Sequence, residues 1–316
     1  MIPQLLVFQD FHIGGASAPE WNQRYLQMSP GVMRSALHEW SAGDVHVFGK
    51  WMSGRVVQQG GLPRGQLCFA LLGKDAAGAL RVQGREFRLG DLLILRGGQE
   101  FEFQRPAGVE LLSVTFGAES FSEFLEASLA PEEARRAMAG DVVRPEAAAL
   151  RDLHRMVRLQ LSAGVARSPG ELMQAVTRVL ARSARVAPQR ASSIAAARIV
   201  KECQQIASTE TREDPLRIEE LCVRLRTSRR TLQSSFNSVT GSSPVAYLRN
   251  LRLNAVRRRL MTTPAGELSV SSAATEAGFD HLGHFAGSYK TLFGESPSRT
   301  ARVAAPRGKR RAALAR

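Results

Sequence analysis

The sequence predicts an α+β protein, in which a β-rich N-terminal half is followed by helices and then by an all-α C-terminal domain. Three observations support this: short apolar runs separated by glycines, a pattern that occurs twice near the C-terminus, and an uneven distribution of charge. Residues 1–189 contain 21 basic and 19 acidic side chains, whereas residues 190–316 contain 22 and 10, so their net charges are +2 and +12. Such asymmetry is typical of a nucleic-acid-binding domain joined to a domain of another kind.

Between Val32 and Phe116, short apolar or alternating runs are separated by glycine-rich turns. Residues of this type at this spacing are typical of strands. Many short strands in succession predict a β-sandwich or a barrel. The predicted strands cover residues 45–51, 66–72, 79–82, 91–95, 100–103 and 110–116.

Five aromatic side chains of this region are candidates for lining an interior cavity that holds a small organic effector. They are Trp40, Phe48, Trp51, Phe69 and Phe103. The other interpretation stays open, because aromatic residues in strands commonly form ordinary core. His12, His38 and His46 are scattered and do not have the spacing of metal ligands, so we predict no metal ion and no other cofactor.

After Phe116 the apolar residues recur at intervals of three and four, which predicts helices. The apolar sets lie within residues 121–129, 150–161 and 172–180. Such helices would either form a subunit interface or cap the open end of the barrel, and both interpretations stay open. The segment 186–194, with Pro188 and small polar residues, is the predicted linker.

A nine-residue pattern occurs twice in the C-terminal third, 53 residues apart: Phe236-Asn-Ser-Val-Thr-Gly-Ser-Ser-Pro244 recurs as Tyr289-Lys-Thr-Leu-Phe-Gly-Glu-Ser-Pro297. A repeat of this kind predicts two copies of one supersecondary unit. In each copy, apolar spacing predicts a helix, a tight turn and a second helix that ends at the glycine.

Capping residues mark where the second helix of each copy begins. Ser228 is a good N-cap in the first copy, and Asp280 can cap in the second. Residues 244–261 combine apolar residues with five arginines, which predicts one continuous helix between the two copies.

Several short motifs in this region resemble the signature of the AraC/XylS family of bacterial transcription regulators. They are Leu251-Arg-Leu-Asn-Ala-Val-Arg-Arg-Arg-Leu260, Ala277-Gly-Phe279, Gly283-His-Phe285, Phe293-Gly294 and Ser296-Pro297. The resemblance covers roughly residues 195–302, about a third of the chain. The sequences of these motifs also resemble, more loosely, those of the ethanolamine-operon-regulator-like branch.

The resemblance implies a sequence-specific DNA-binding transcription regulator, more often an activator, that responds to a small effector bound upstream. The upstream domain of the family is often a cupin-like jelly roll, and Phe87-Arg-Leu-Gly-Asp-Leu-Leu-Ile-Leu95 resembles the Gly-Asp turn of that fold. The implied partners are double-stranded DNA, RNA polymerase and a second copy of the chain.

The second helix of a helix-turn-helix enters the major groove, where its exposed N-terminal side chains meet base edges. The resemblance places the family's base-reading positions at Arg230, Gln233 and Ser234, which agrees with the outward face predicted from apolar spacing. The second copy has few donors there, so we expect it to act through phosphates and DNA shape. The candidate DNA-contacting residues are Ser228, Arg229, Arg230, Gln233, Ser234, Asn237, His281, His284, Ser288 and Lys290.

The predicted domains are an effector-sensing domain (1–185), a linker (186–194), a DNA-binding domain (195–302) and a basic tail (303–316). We predict that the chain is not an enzyme. The alternatives that stay open are a cupin-type oxygenase with an appended helical domain, a cysteine-based DNA-repair alkyl acceptor, and a protein-interaction module. Metal-ligand or zinc-cysteine spacing would favour the first two, and neither spacing is present.

The remaining composition predicts a cytoplasmic protein. Cys68, Cys203 and Cys222 stand at unrelated spacings in apolar surroundings, which is typical of buried thiols in a reducing compartment. The N-terminus has no basic segment of a signal peptide, and no apolar run approaches the roughly 20 residues of a membrane span.

Overall fold

The computed structural model describes residues 4–8, 21, 23–73, 80–82, 84–162, 167–185, 191–209, 217–264 and 266–302. Thirteen strands lie within these residues and form two antiparallel sheets. The strands are β1 Gln4–Phe8, β2 Arg24–Gln27, β3 Ser35–Ala42, β4 Val45–Met52, β5 Val56–Gly61, β6 Gln66–Leu72, β7 Leu80–Val82, β8 Arg85–Phe87, β9 Leu92–Arg96, β10 Glu100–Arg105, β11 Glu110–Gly117, β12 Val142–Pro145 and β13 Ser183–Arg185.

The larger sheet has the strand order β1-β3-β4-β11-β6-β9-β12-β13, and the smaller sheet has the order β2-β5-β10-β7-β8. The six predicted strands are present, with ends that differ by one or two residues. Among the described residues each sheet keeps two open edges, so the barrel in the predicted fold class is wrong. The predicted alternative, a sandwich, describes the two sheets.

Alternation along the strands gives the larger sheet two buried faces. In β4, Val45 and Val47 point to one side, whereas Phe48 points to the other. The face of Phe48 packs on the smaller sheet, and we call these buried residues the intersheet core. The opposite face packs on helices and forms what we call the outer core.

Four helices cover the outer face of the larger sheet: α1 Ala118–Ser128, α2 Pro131–Ala137, α3 Ala147–Leu161 and α4 Pro169–Ala181. The start of α4 is fixed by a capping box, in which Ser168 accepts from the Glu171 amide and Glu171 accepts from the Ser168 amide. Leu153 and Val157 of α3 are buried in the outer core, whereas Arg151 and Arg155 are exposed. The helices thus cover the sheet, and the subunit interface stays a prediction.

Within the described residues after 190, six further helices form the C-terminal region, and their bounds agree with the predicted repeat. They are α5 Ala191–Thr209, α6 Ile218–Arg224, α7 Arg229–Thr240, α8 Pro244–Thr262, α9 Val270–Thr275 and α10 Leu282–Phe293, followed by a 3₁₀ turn at Pro297–Arg299. Helix α5 begins inside the predicted linker, of which residues 186–190 lie outside the described part of the chain, as does the predicted tail 303–316. We call α6 and α7 the first unit, and α9 and α10 the second unit.

Helix α8 belongs to the cores of both units. Tyr247 and Leu248, near its start, are buried in the cluster that contains α5 and the first unit. Leu253, Val256 and Leu260, further along, are buried in the cluster of the second unit. A helix of 19 residues at 1.5 Å per residue is about 28 Å long, so it links the two units as a rigid rod.

The smaller sheet packs directly on the helical region through β2 and β5. Leu26, Met28 and Val57 share a buried cluster with the first unit. Next to them, the amide of Gln27 donates to Asn254 Oδ1 of α8 at 2.8 Å, and Asn254 Nδ2 donates to the Gln27 carbonyl at 2.9 Å. The N-terminal half is therefore attached to the helix that carries both units.

Contacts beyond β2 extend this attachment to each unit. The Gly31 amide donates to the Thr291 carbonyl in α10 at 3.1 Å, and Arg55 donates to Ser242 Oγ, just after α7, at 2.7 Å. Gly294 ends α10 with φ +75°, and a Cβ there would lie 2.6 Å from Val32 Cγ2. The sheet domain thus contacts the C-terminal ends of α7 and α10.

Candidate nucleic-acid interface

The turn of the first unit is built by the backbone around Arg226, which adopts the left-handed region with φ 47°. The Thr227 amide donates to the Cys222 carbonyl at 2.9 Å, which closes the turn. Ser228 then caps α7, because its hydroxyl accepts from the Thr231 amide at 3.0 Å. The predicted N-cap is confirmed, and Ser228 Oγ is occupied in holding the start of the helix.

Helix α7 separates its polar and apolar residues cleanly. Leu232, Ser235, Phe236 and Val239 are buried. The opposite face consists of exposed side chains, all of which were predicted from spacing to point outward: Arg229, Arg230, Gln233, Ser234 and Asn237.

Local hydrogen bonds arrange this exposed face. Gln233 Nε2 donates to Asn237 Oδ1 at 3.1 Å, one helical turn away. Arg229 is paired with Glu219 of α6 at 3.3 Å, and both side chains are largely exposed. An exposed pair of this kind contributes little to stability, so Arg229 can exchange Glu219 for a phosphate. Arg guanidinium groups and the Gln amide are the side chains that recognise guanine and adenine edges in the major groove.

The turn of the second unit repeats the first with one residue more. Gly278 has φ 73°, and the Phe279 amide donates to the Ala274 carbonyl at 3.1 Å. Helix α10 then begins at Leu282, with His281 at the N-cap position and no side-chain cap. The predicted cap at Asp280 is therefore wrong, because the longer turn places that residue one position too early.

The exposed face of α10 is poor in hydrogen-bond donors. His281, His284 and Lys290 are exposed, whereas Ser288 is half-buried. Leu282, Gly283, Ala286 and Gly287 occupy the rest of the face, and a Cβ at either glycine would meet no atom within 4 Å. The face is flat and apolar, so it can approach a surface closely but offers few groups for reading bases.

Two arginines of α8 fix the second unit on the connecting helix. Arg252 donates to the Gly278 carbonyl at 2.9 Å and lies 5.0 Å from the Phe279 ring centre. Arg257 pairs with Glu295 at 2.7 Å and lies 4.6 Å from the Phe293 ring centre. These basic residues are thus committed to internal contacts.

The five predicted effector-binding aromatics do not share one cavity. Phe48 and Phe103 lie in the intersheet core, whereas Trp40 and Phe69 lie in the outer core, on the other face of the larger sheet. Trp51 is half-buried at one end of β4 and donates through Nε1 to the Gly108 carbonyl at 3.1 Å. The prediction failed to separate them because the two sheet faces are equally apolar.

Two groups of polar residues were missed by the sequence analysis. One is the junction of Gln27 and Asn254, which joins distant parts of the chain and has no local sequence signal. The other is the buried pair Lys50 and Arg105, between the two sheets. Lys50 lies two residues from Phe48 in β4, so their side chains point to the same face of the sheet, and this alternation was a sequence signal that could have indicated its burial.

Cys68, Cys203 and Cys222 are not disulfide-bonded, and the first two are buried as predicted. Burial raises the pKa of the Cys68 and Cys203 thiols to about 12, which keeps them protonated and unreactive. Within the described ranges, no three His, Cys, Asp or Glu side chains are grouped so that they could share a metal ion. The helices of the same residues include none with the length and apolar character needed to cross a bilayer.

Residues 221–302 match the family model described as a helix-turn-helix domain. XylDLEGF operon transcriptional activator 2 of Pseudomonas putida is 39% identical over 83 residues, which are 26% of this chain and 53% of that protein. The probable thc operon regulatory protein of Rhodococcus erythropolis is 33% identical over 91 residues, 29% of this chain and 27% of that protein. The chain thus spans about half or less of the length of these curated relatives.

Among solved structures, the AraC-like transcriptional activator CuxR is similar over 79% of this chain and 94% of its own, with 14% identity and a TM-score of 0.41. The family-model match covers α7, α8, α9 and α10, with all ten candidate DNA-contacting residues. Residues 221–302 therefore form a helix-turn-helix domain.

Proposed function

We propose that this chain is a sequence-specific DNA-binding transcription regulator, an activator, whose activity is controlled by a small effector bound in the N-terminal half. The observation that carries the proposal is the exposed face of α7, where Arg229, Arg230 and Gln233 stand on a capped helix with their apolar neighbours buried. The net charge of +12 in residues 190–316 supports attraction to the phosphate backbone.

The two units would contact DNA in different ways. The first unit reads bases through Arg230, Gln233 and Ser234, and Arg229 and Asn237 support it. The second unit lies flat on the duplex and contributes Lys290, His281 and His284 as phosphate contacts. Because α8 is rigid and joined to both cores, the units would enter adjacent major-groove turns, about 34 Å apart.

Control by the N-terminal half is supported by its attachment to α8 and to the ends of α7 and α10. A regulator of this kind has RNA polymerase as a partner, and a homodimer formed through α3 and α4 stays a prediction that sedimentation of the full chain would test.

The Gly90-Asp91 turn supports a cupin-like origin for the sandwich, because Asp91 anchors it by accepting from the Arg88 amide at 3.0 Å and from Arg144 at 2.8 Å. The resemblance to the ethanolamine-operon-regulator-like branch also stays a prediction.

The test begins by selecting genomic fragments that the purified full chain retains, and then measures affinity by fluorescence anisotropy. Arg230→Ala and Gln233→Ala should each weaken the selected site by about 1–3 kcal/mol and relax base preference. Lys290→Ala should weaken all sequences alike. Arg136→Ala is the matched control, because it removes an exposed arginine from α2, away from α3, α4 and the helical units. Unchanged binding by Arg230→Ala would contradict the assignment of α7.

A further inference from the structure

The exposed faces of α7 and α10 can be compared position by position. Both helices have 12 residues and end at a glycine in the left-handed region. The 53-residue offset of the repeat therefore aligns their starts as well, so that Arg229 and Arg230 of α7 correspond to Leu282 and Gly283 of α10. The two arginines at the start of the first reading helix thus have uncharged counterparts in the second.

Two histidines stand instead where α10 begins. His281 is the N-cap residue and His284 lies three residues later, with both side chains exposed and their ring centres 6.0 Å apart. His281 forms no side-chain cap, whereas Ser228 at the same position of the first unit is occupied in holding the helix start. Neither imidazole forms a hydrogen bond or an ion pair with another residue of the described ranges. Both rings are therefore available to a ligand.

The charge of the α10 face depends on pH, whereas that of the α7 face does not. Lys290 is the one lysine of α10, and the helix contains no arginine. Imidazole changes its charge between about pH 5 and 8, whereas guanidinium groups stay charged throughout this range. With Lys290, the α10 face thus carries one positive charge when both histidines are neutral and three when both are protonated.

Carboxylates close to α10 interact with arginines of the connecting helix α8. They are Asp280 with Arg252, Glu276 with Arg259, and Glu295 with Arg257. The other charged side chains on the elements packed against α10 include the exposed Arg249 and Arg299, which are permanently positive. The amide end of a helix also disfavours a positive charge. Phosphates of bound DNA are therefore the anions that would favour the protonated imidazoles.

We propose that the second unit binds DNA in a pH-dependent way, through protonation of His281 and His284 beside the phosphate backbone, whereas the first unit binds independently of pH. This inference rests on the proposed function and adds regulation to it. At pH 8 the chain holds DNA mainly through α7, and at lower pH α10 contributes two further charges. Since phosphates favour the protonated form, binding takes up protons, and the affinity for DNA rises as the pH falls through the range in which the bound histidines gain them.

The test measures DNA affinity of the full chain at pH 8.0 and pH 6.0, on a genomic fragment that the chain retains and at several salt concentrations. We expect the affinity at pH 6.0 to be roughly fivefold to 20-fold higher, as two exposed charge contacts allow. The slope of log K against log salt should steepen by about 0.9 for each histidine that gains a phosphate contact, and so by up to about 1.8. Equal slopes and affinities at the two pH values would overturn the proposal.

Paired substitutions assign the effect to the two histidines. His281→Gln combined with His284→Gln should keep the affinity at pH 8.0 and lose the rise at pH 6.0. His281→Lys combined with His284→Lys is charged at both pH values, so at pH 8.0 it should already bind as tightly as the unaltered chain does at pH 6.0. His38→Gln is the matched control, because it removes a half-buried histidine from β3 and should keep the rise. A rise that survives in the glutamine variant, or a lysine variant that gains no affinity, contradicts the assignment.

Binding enthalpies of the unaltered chain near pH 7, in two buffers of different ionisation enthalpy, report the proton uptake directly. Uptake of up to two protons is expected, and no uptake would overturn the proposal. The same samples separate this inference from the proposed function. If the chain retains no DNA at either pH, the proposed function fails and the pH dependence fails with it. If the chain binds specific DNA equally well at both pH values, the pH dependence alone fails.

Discussion

The junction of Gln27 and Asn254 is the contact whose removal should most clearly separate the two halves of the protein. Asn254 is 1% exposed and Gln27 is 2% exposed. The Asn254 side chain donates to the Gln27 carbonyl and accepts from the Gln27 amide, so it completes the edge of β2 as a neighbouring strand would. In Asn254→Ala both backbone groups lose their partner in a site that water does not reach.

The expected cost follows from these two bonds. Each removed partner leaves a buried backbone group unsatisfied, at about 1–3 kcal/mol per group. Relaxation at the junction lowers the sum, and alanine is a better helix former than asparagine by roughly 0.5 kcal/mol. We therefore expect Asn254→Ala to destabilise the junction by about 2–4 kcal/mol.

Asn250 of the same helix provides a matched control. It is half-buried, and its amide nitrogen is 3.5 Å from the Met28 carbonyl, a distance at which little hydrogen bonding remains. Asn250→Ala changes the same residue type and gains the same helix propensity, so its cost should stay below about 0.5 kcal/mol. The difference between the two variants isolates the junction.

Hydrogen exchange of the Gln27 amide is the direct assay, because that amide is itself one of the two donors. A loss of 2–4 kcal/mol corresponds to exchange that is roughly 30-fold to 1000-fold faster, since 1.4 kcal/mol is about tenfold. Exchange in β6, at the centre of the larger sheet, should not change. Equal exchange of the Gln27 amide in Asn254→Ala and Asn250→Ala would refute the reasoning.

Three further outcomes are expected. Burial and the neighbouring Arg105 lower the pKa of Lys50 to about 7, so the unfolded chain binds more protons than the folded chain between about pH 7 and 10.5. The free energy of unfolding should therefore rise with pH in this range. Urea titrations of Lys50→Met should show a smaller rise. Ser228→Ala should cost about 1 kcal/mol by removing the cap of α7, measured as a lower urea midpoint. Gly294→Ala should lower the melting temperature, because it strains φ +75° and meets Val32, whereas Gly287→Ala should raise stability by up to about 1 kcal/mol.

How much of the structure could be predicted depended on whether the signal was local. Ser228, Leu232 and Phe236 follow helical spacing and capping chemistry, so the exposed face of α7 was predicted correctly. The start of α10 was predicted one residue early, because the turn after Gly278 has one residue more than the turn after Arg226. The sandwich was predicted only as a class, since pairing of distant strands such as β12 with β9 has no local sequence pattern.

The polar residues of the interior show a different limit. Lys50 and Arg105 lie 55 residues apart, and only the packing of one sheet on the other brings them together. A lysine in a strand is commonly an exposed residue, so its burial cannot be inferred without the opposing sheet. Trp40 and Phe48 illustrate the same point, because both are buried aromatics of adjacent strands but face different cores.

Strand β2 belongs to both halves of the protein, because it pairs with β5 and also packs on the first unit. The Tyr25 ring lies 4.0 Å from the Lys50 ammonium and packs with Met33, Met52 and Val56, whereas the next residue, Leu26, points out into the core of the first unit. Gln27 then binds Asn254 of α8. Tyr25 therefore lies two residues from the contact that joins β2 to the connecting helix. Since α8 is rigid and belongs to both cores, a shift of β2 at its middle would turn the two units together relative to the sheets and leave their spacing unchanged.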